Sequence, residues 1–417
     1  MRRLRGPLLG DLLSLYGLQI GNILIPLLTF PVLARSLSPV NWASLLVAQA
    51  LGVAVATVVD YGHTVTATRR IASGEPPRRT AELVYATKGL LALLCVLTAV
   101  VAWWAGWTGG YGATLLLGGL VYGLLQGSLP SWYFQGQNRA RVAANVDMGF
   151  KLAAGLAMVS AALLWRDPAA VMWSQALGVA LTWGLLTARL GRELPPGRAR
   201  LSLIDVWRDL REGSAVFLFR LLGSSYTSAL ALLLAATVSP LSSALLLAAD
   251  RIAKVAPTFT VPLCQALYPR VVQSGAHATP RGRRQLLGLA GSVLAGLLLA
   301  SLLLFWWRDP LVTLLLGETY APAADVLVWT LWLMPFIGWN TVLLQLWIFP
   351  QRRDGLANAL LLLNALISVG WVLGMAGRVP LPVYAAGISA AEVLVAGLLL
   401  LLLLGTRDGP HGEVARA

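Results

Sequence analysis

Apolar runs of about 20 residues, the length needed to cross a bilayer, recur from one end of this 417-residue chain to the other. Twelve can be drawn, at 10–34, 41–68, 82–107, 111–134, 142–165, 169–190, 213–237, 241–270, 286–307, 322–349, 356–376 and 383–405. One water-soluble core could not bury them, because hydrophobic residues make up 57% of the chain and charged residues only 12%. The expected fold class is an all-α polytopic membrane protein with about 12 transmembrane helices.

The formal net charge of +14 would suggest nucleic acid in a soluble protein, but its distribution points to topology instead. With both termini cytoplasmic, the inside segments hold 23 of the 32 basic residues and the outside loops only four, Arg35, Arg166, Arg308 and Arg378. That asymmetry is the positive-inside pattern, and no nucleic-acid partner is expected. Trp103, Trp104, Trp107, Trp165, Trp306 and Trp307 fall at outer span ends, where aromatic belts sit. The basic N-terminus runs into an apolar stretch without a small-residue cleavage site, so it reads as a retained first helix.

A faint internal repeat divides the chain. Ser38, Pro39, Ala43, Leu45, Leu46 and Ala48 match Ser239, Pro240, Ala244, Leu246, Leu247 and Ala249 at a constant offset of 201. Each segment is the outer turn between the first two helices of a six-span block, so the repeat is parallel, about an axis along the membrane normal. The expected organisation is an N-lobe over 1–190, a cytoplasmic linker over 191–212 and a C-lobe over 213–417. Within the linker, Leu201–Leu210 suits a short interfacial helix. Two related bundles joined in this way form a transporter plan, with the substrate held between the halves near the midplane.

Five residues inside the spans are basic: Lys88, Lys151, Arg220, Arg251 and Lys254. A charge at the bilayer centre costs roughly 2.5–3.5 kcal/mol even on insertion scales, so such residues usually face a polar cavity. Asp147 and Lys151, like Asp250 and Lys254, are spaced i,i+4 with the acid first, the favoured order for a helical ion pair. Those lysines are either neutralised in their own helices or coupled to substrate or ion. Arg251 lies deepest, and Arg220 and Lys88 are near enough to an inner end to snorkel. Arginine offers a planar fork of donors that suits phosphate, so a cationic cavity implies an anionic passenger. A cation exporter would instead show unpaired acids. The candidates are Asp60, Glu392 and Asp250. Asp60, with His63 three residues on, is either a helix-end carboxylate paired with Arg69 or Arg70, or a proton-coupling group. Glu392 stands in the last span with no cation near it in sequence.

Other residues read as architecture or as path. Gly119, Gly123 and Gly127 repeat every four residues and permit close helix packing. Pro26, Pro31, Pro130, Pro257, Pro262 and Pro335 interrupt spans. Gln19, Asn22, Gln49, Asn340, Gln345 and Asn364 suit a sugar path or ties between helices. There is no Walker A motif, the three histidines lack metal-ligand spacing, and Cys95 and Cys264 lie within spans. No cofactor, metal or catalytic residue is expected.

The segments SLYGLQIGNILIPLLTFPVLARSLSP (14–39), LLVAQA (45–50) and DYGHTVTATRRIA (60–72) resemble the opening of polysaccharide flippases of the O-antigen (Wzx) type. WYFQG (132–136), AADRIAK (248–254), ALYPRVV (266–272) and LLGETYAPAADVL (315–327) fit the same pattern in order. His63 departs from it, standing where the family usually has an aromatic, commonly Phe, and Asp250-Arg251 stands where an acidic-basic or Glu-Lys pair is common. The resemblance implies the multidrug/oligosaccharidyl-lipid/polysaccharide exporter superfold, two six-helix lobes around a central cavity. It implies alternating-access transfer of a polyprenyl-diphosphate-linked oligosaccharide from the inner to the outer leaflet of a bacterial cytoplasmic membrane, coupled to H+ or Na+. It also implies membrane lipids and polysaccharide assembly machinery as neighbours. The anionic head would meet Arg251 and Arg220, with Lys151, Lys254 and Lys88 as further cations. Two alternatives stay open: a multidrug or cation antiporter of the same superfold, governed by acids, and a membrane polysaccharide polymerase or glycosyltransferase, which would need a large catalytic outside loop.

Overall fold

The computed structural model describes residue 25 and residues 28–106, 110–137, 139–197, 201–275, 279–351, 353–375 and 378–405. Most of the first expected span, with Gln19, Asn22 and Pro26, lies outside these residues, as do Trp107, His277 and His411. No strand occurs among the described residues. The first helices are α1 (Pro39–Asp60), α2 (His63–Ala72), α3 (Pro77–Trp104), α4 (Ala113–Gly127), α5 (Ser131–Gly136), α6 (Ala140–Leu164), α7 (Pro168–Glu193) and α8 (Leu203–Thr237). They are followed by α9 (Pro240–Thr258), α10 (Thr260–Ser274), α11 (Pro280–Trp306), α12 (Arg308–Leu316), α13 (Ala323–Thr330), α14 (Leu333–Leu343), α15 (Asp354–Gly374) and α16 (Leu381–Gly405). A π-helical turn, Leu344–Ile348, continues α14.

Local sequence explains where these helices start and break. Proline suits a first turn, where its missing N–H is not needed, and a preceding hydroxyl or carboxylate caps the free N–H groups. Ser38 accepts from the Asn41 N–H at 3.3 Å, Asp167 from Ala169 at 3.0 Å, and Thr279 from Gly282 at 3.1 Å, each ahead of a proline. At the repeat-related position Ser239 accepts from the Ser242 N–H at 3.2 Å. The same Ser-Pro device therefore opens α1 and α9. Inside a helix, proline removes the bond to the carbonyl four residues back and crowds it. Pro262 thus accounts for the break at Phe259 between α9 and α10, and Pro335 for the one at Leu331–Trp332 between α13 and α14.

Nine helical stretches among the described residues are long and apolar enough to cross a membrane. The seventh and eighth expected spans run within α8 and within α9 and α10. The short helix expected over Leu201–Leu210 is not separate: from Leu203 it is continuous with α8. Leu94, Leu97 and Val101 on α3 and Leu299, Leu302 and Leu303 on α11 are exposed, as suits helices solvated by lipid. Trp104, Trp165 and Trp306 are more than 65% exposed at helix ends.

Two compact units are formed. Residues 21–247 with 315–319 make one, and residues 248–314 with the chain from 320 onward belong to the other. In the first, α1, α4 and α7 pack together. The glycine stripe on α4 makes this possible. A Cβ at Gly119 would lie 2.5 Å from the Ala48 carbonyl oxygen, and one at Gly123 would lie 2.5 Å from that of Gly52. Beside them Trp132, Tyr133 and Phe134 of α5 are buried with Ala67, Ile71, Val84 and Leu186. In the second unit α14 packs against both α11 and α16, and α15 against α16.

Candidate functional site

The first unit contains a break that organises its polar residues. α1 ends at Asp60, and Tyr61 (φ 46°) and Gly62 (φ 80°) both take left-handed conformations before α2 restarts at His63. Glycine accepts that geometry freely, whereas a tyrosine does so rarely. Here the Tyr61 ring is stacked on Phe217 of α8 with centroids 4.3 Å apart. A Cβ at Gly62 would lie 2.7 Å from Val216, so a larger residue there would push α8 away. The break is the seat on which α8 rests.

Asp60 gathers two cations at this seat. Its Oδ2 lies 2.7 Å from Arg220 Nη1, and its Oδ1 lies 3.3 Å from Lys88 Nζ. Thr64 donates its hydroxyl to Oδ1 at 2.9 Å, and Lys88 also donates to the Gly127 carbonyl at 2.7 Å. Lys88 is sealed in, with a side chain 1% exposed, while that of Arg220 is 39% exposed. The two cations therefore differ in kind. Lys88 is a fixed internal counter-ion, and Arg220 is an accessible guanidinium held in place by a carboxylate. Arg220 and Asp60 line a cavity of about 410 Å³ with Thr57, Thr64, Gln126 and Ser131. The Oε1 of Gln126 is buried and accepts no hydrogen bond.

A second cluster surrounds Asp209, in the first turns of α8. Its Oδ2 accepts from Thr87 at 2.8 Å and lies 2.8 Å from His63 Nε2; its Oδ1 accepts from Arg70 at 2.6 Å. Arg70 also reaches Glu212 at 2.9 Å. Burial pushes the Asp209 pKa up, but the His63 hydrogen bond and charge, then Thr87 and Arg70, outweigh it and hold the carboxyl at about 2.

These contacts correct several expectations. Asp60 pairs with Lys88 and Arg220, not with Arg69 or Arg70; Arg70 is turned to Asp209 and Glu212. Arg220 meets an acid 160 residues away in sequence and does not snorkel free of partners. Lys88 is fully enclosed by protein. Lys151 is bound to Asp147 at 2.5 Å and Lys254 to Asp250 at 2.7 Å, the intrahelical pairs that spacing indicated. Arg251 is exposed on α9 in the second unit. Glu392 is buried there on α16, accepting from Asn340 at 2.7 Å and Asn364 at 2.8 Å. Those two asparagines thus tie α14 and α15 to α16. Of the five span cations, the structure brings Lys88 and Arg220 onto one carboxylate.

Sequence reasoning passed over Asp209, Thr87 and Arg70 as a group. The available signal was His63, a histidine in an apolar span where an aromatic is usual, which needs polar partners once buried.

The sequence matches the family described as polysaccharide biosynthesis proteins over residues 8–274. A candidate O-antigen transporter of Escherichia coli (strain K12) is 26% identical over 272 residues, 61% of this chain and 62% of that protein. The chain thus spans less than two thirds of that relative's length. A candidate O-antigen transporter of Shigella dysenteriae is 23% identical over 371 residues, 86% of this chain and 90% of that protein. Among solved structures, the lipid II flippase MurJ in an inward closed conformation superposes with a TM-score of 0.74 at 11% identity, covering 94% of this chain and 88% of the other. An inward-facing multidrug resistance transporter of the MATE family, in the MOP superfamily, gives 0.61 at 16% identity, covering 94% of each chain. At those identities the likeness is one of fold.

Proposed function

Since this chain belongs to the polysaccharide biosynthesis protein family, we propose that it is a flippase moving a polyprenyl-diphosphate-linked oligosaccharide from the inner to the outer leaflet of a bacterial cytoplasmic membrane. The observation that carries this reading is Arg220, an accessible guanidinium on the wall of a polar cavity and poised by Asp60. A planar fork of donors suits a diphosphate. Hydroxyls and amides such as Thr57, Gln126 and Ser131 on the same wall suit the sugars that follow it. The relatives' names, O-antigen transporters, and the fold shared with a lipid II flippase support the same substrate class.

In this reading residues 1–190 and 213–417 are the two lobes, joined by 191–212, and alternating access carries the head group across while the polyprenyl tail stays in lipid. Arg251 is a second contact for the anionic head; Lys151 and Lys254, each held by its own aspartate, are weaker ones. Lys88 supports Asp60 and does not touch substrate. The cycle is coupled to H+ or Na+, with Asp60, Asp250 and Glu392 as the acids placed to couple it. A cation antiporter is disfavoured because the cavity wall presents an accessible guanidinium, Arg220, to any cargo.

Binding tests this. Native mass spectrometry of the detergent-purified protein should show retention of a polyprenyl-diphosphate oligosaccharide, weakened at least about tenfold in Arg220→Ala, the order expected for losing a charge-assisted pair. Retention of a cationic dye in place of the lipid-linked sugar would overturn the reading.

A further inference from the structure

The flippase reading leaves His63 and Asp209 without a task, yet the geometry between them is demanding. The His63 ring is buried, with Nδ1 2.7 Å from the Asp60 backbone carbonyl oxygen and Nε2 2.8 Å from Asp209 Oδ2. A carbonyl oxygen only accepts, so the first contact requires a proton on Nδ1. The second sets a ring nitrogen against a carboxylate oxygen, and two lone pairs meet there unless a proton lies between them. A neutral imidazole carries one ring proton and an ionised carboxylate carries none. Together the two contacts therefore hold one proton more than those neutral and ionised groups supply. Because Arg70 and Thr87 donate to the Asp209 oxygens and favour the carboxylate, that proton is present as imidazolium facing carboxylate.

The surroundings make this the removable charge. Asp209 also meets Arg70 of α2 and Thr87 of α3, Arg70 meets Glu212 of α8, and Asp60 at the end of α1 meets Lys88 of α3 and Arg220 of α8. Tyr61 lies beside the ring, with centroids 6.3 Å apart. Three carboxylates thus face three strongly basic groups before His63 is considered, and histidine is the side chain whose charge ordinarily changes within the physiological range. The same contact fastens α8. Asp209, Gly213, Val216 and Arg220 recur at helical spacing on one face of α8, the face turned to the α1–α2 break.

We propose that the His63–Asp209 contact is a proton-binding site whose occupancy clamps the start of α8 onto the α1–α2 junction. Release of the proton to water leaves lone pairs facing one another in one of the two contacts, Nδ1 to the Asp60 carbonyl or Nε2 to Asp209 Oδ2, and the junction that both contacts brace loosens. The link from this clamp to Arg220 and its anionic ligand rests on the flippase reading; the proton site and the clamp do not.

The test uses full-length protein in lipid nanodiscs without substrate. His277→Gln/His411→Gln leaves His63 as the single imidazole, because the chain has three histidines, and 15N spectra then report its ring protons directly. Infrared difference spectra against Asp209→Asn report whether that carboxyl is protonated. At neutral pH the expected result is a doubly protonated ring facing an ionised Asp209. As pH rises and this proton is lost, hydrogen exchange of amides 203–217, corrected for its intrinsic rate, should climb by up to about tenfold per pH unit, the slope for one linked proton. His63→Phe should abolish that climb. A singly protonated ring beside an ionised Asp209 at neutral pH would overturn the proposal. So would exchange at 203–217 that does not move as the pair deprotonates. A protein that binds no lipid-linked sugar would still give these signals, so failure of the flippase reading is told apart from failure of the proton site.

Discussion

Replacing Asp60 by asparagine keeps the side chain's size and removes the carboxylate that Lys88 and Arg220 share. The two cations should respond unequally. Arg220 is 39% exposed, so losing its partner costs at most about 1 kcal/mol, as for other accessible ion pairs. Lys88 is 1% exposed and keeps only the Gly127 carbonyl, so its charge is stranded. Breaking a buried pair from one side costs roughly 3–5 kcal/mol. For a body of 150–250 residues each kcal/mol moves the melting temperature by roughly 2–4 °C. The expected drop for Asp60→Asn is therefore roughly 6–20 °C, measured in detergent by the fluorescence of the chain's 16 tryptophans. Asp60→Asn/Lys88→Met removes the stranded charge while an unbranched apolar stem fills the lysine's space. It should recover most of the loss, to within about 1–2 kcal/mol of wild type. A single substitution costing less than about 1 kcal/mol, or a double substitution no more stable than the single, would refute the assignment of Lys88 as a sealed counter-ion.

Gly123→Val should prevent close packing of α4 on α1, since even a Cβ there meets the Gly52 carbonyl oxygen at 2.5 Å; overpacking of this kind costs about 1–3 kcal/mol or more, visible as lost monodispersity or a lower melting temperature. Glu392→Gln should cost about 1 kcal/mol, because turning the Asn340 amide brings its buried, unpartnered Oδ1 to the new NH2 group but gives up its 3.3 Å bond to the residue 392 backbone carbonyl. Glu392→Leu should cost more, about 1–3 kcal/mol for each amide left unsatisfied, and equal melting temperatures for the two variants would contradict this geometry. Asp209 has its native pKa lowered to about 2, against about 3.9 in an unfolded chain. Its contribution, roughly 2–3 kcal/mol, is therefore complete above the unfolded value and disappears as pH falls through about 2. Melting curves of wild type and Asp209→Asn should accordingly converge over that acid window and stay apart at neutral pH.

What the sequence displayed was whatever is local along one helix. The pairs Asp147–Lys151 and Asp250–Lys254 needed only i,i+4 spacing. The glycine stripe of α4 and the Ser-Pro starts of α1 and α9 needed only periodicity and capping chemistry. The Asp60 centre was hidden because its members come from α1, α3 and α8, at separations of 28 and 160 residues. Hydropathy gives a residue's depth but not the direction it faces around its helix, so neither the enclosure of Lys88 nor the partner of Arg220 could be read. Asp209 was obscured differently. It stands among Arg208 and Arg211 in a polar stretch that reads as solvated, and only the burial of His63 against it reveals that it points inward.

The claim that an anionic lipid-linked sugar is the cargo, and that Arg220 receives it, is tested most directly by translocation. A fluorescent polyprenyl-diphosphate oligosaccharide is placed in proteoliposomes holding wild type or Arg220→Ala, and the fraction reaching the opposite leaflet is followed with a membrane-impermeant quencher. The account predicts rapid transfer by wild type and a loss of about tenfold or more in a folded Arg220→Ala protein. Equal transfer by both would contradict the role of Arg220. No transfer by wild type, in vesicles that do move a cationic dye, would contradict the cargo itself.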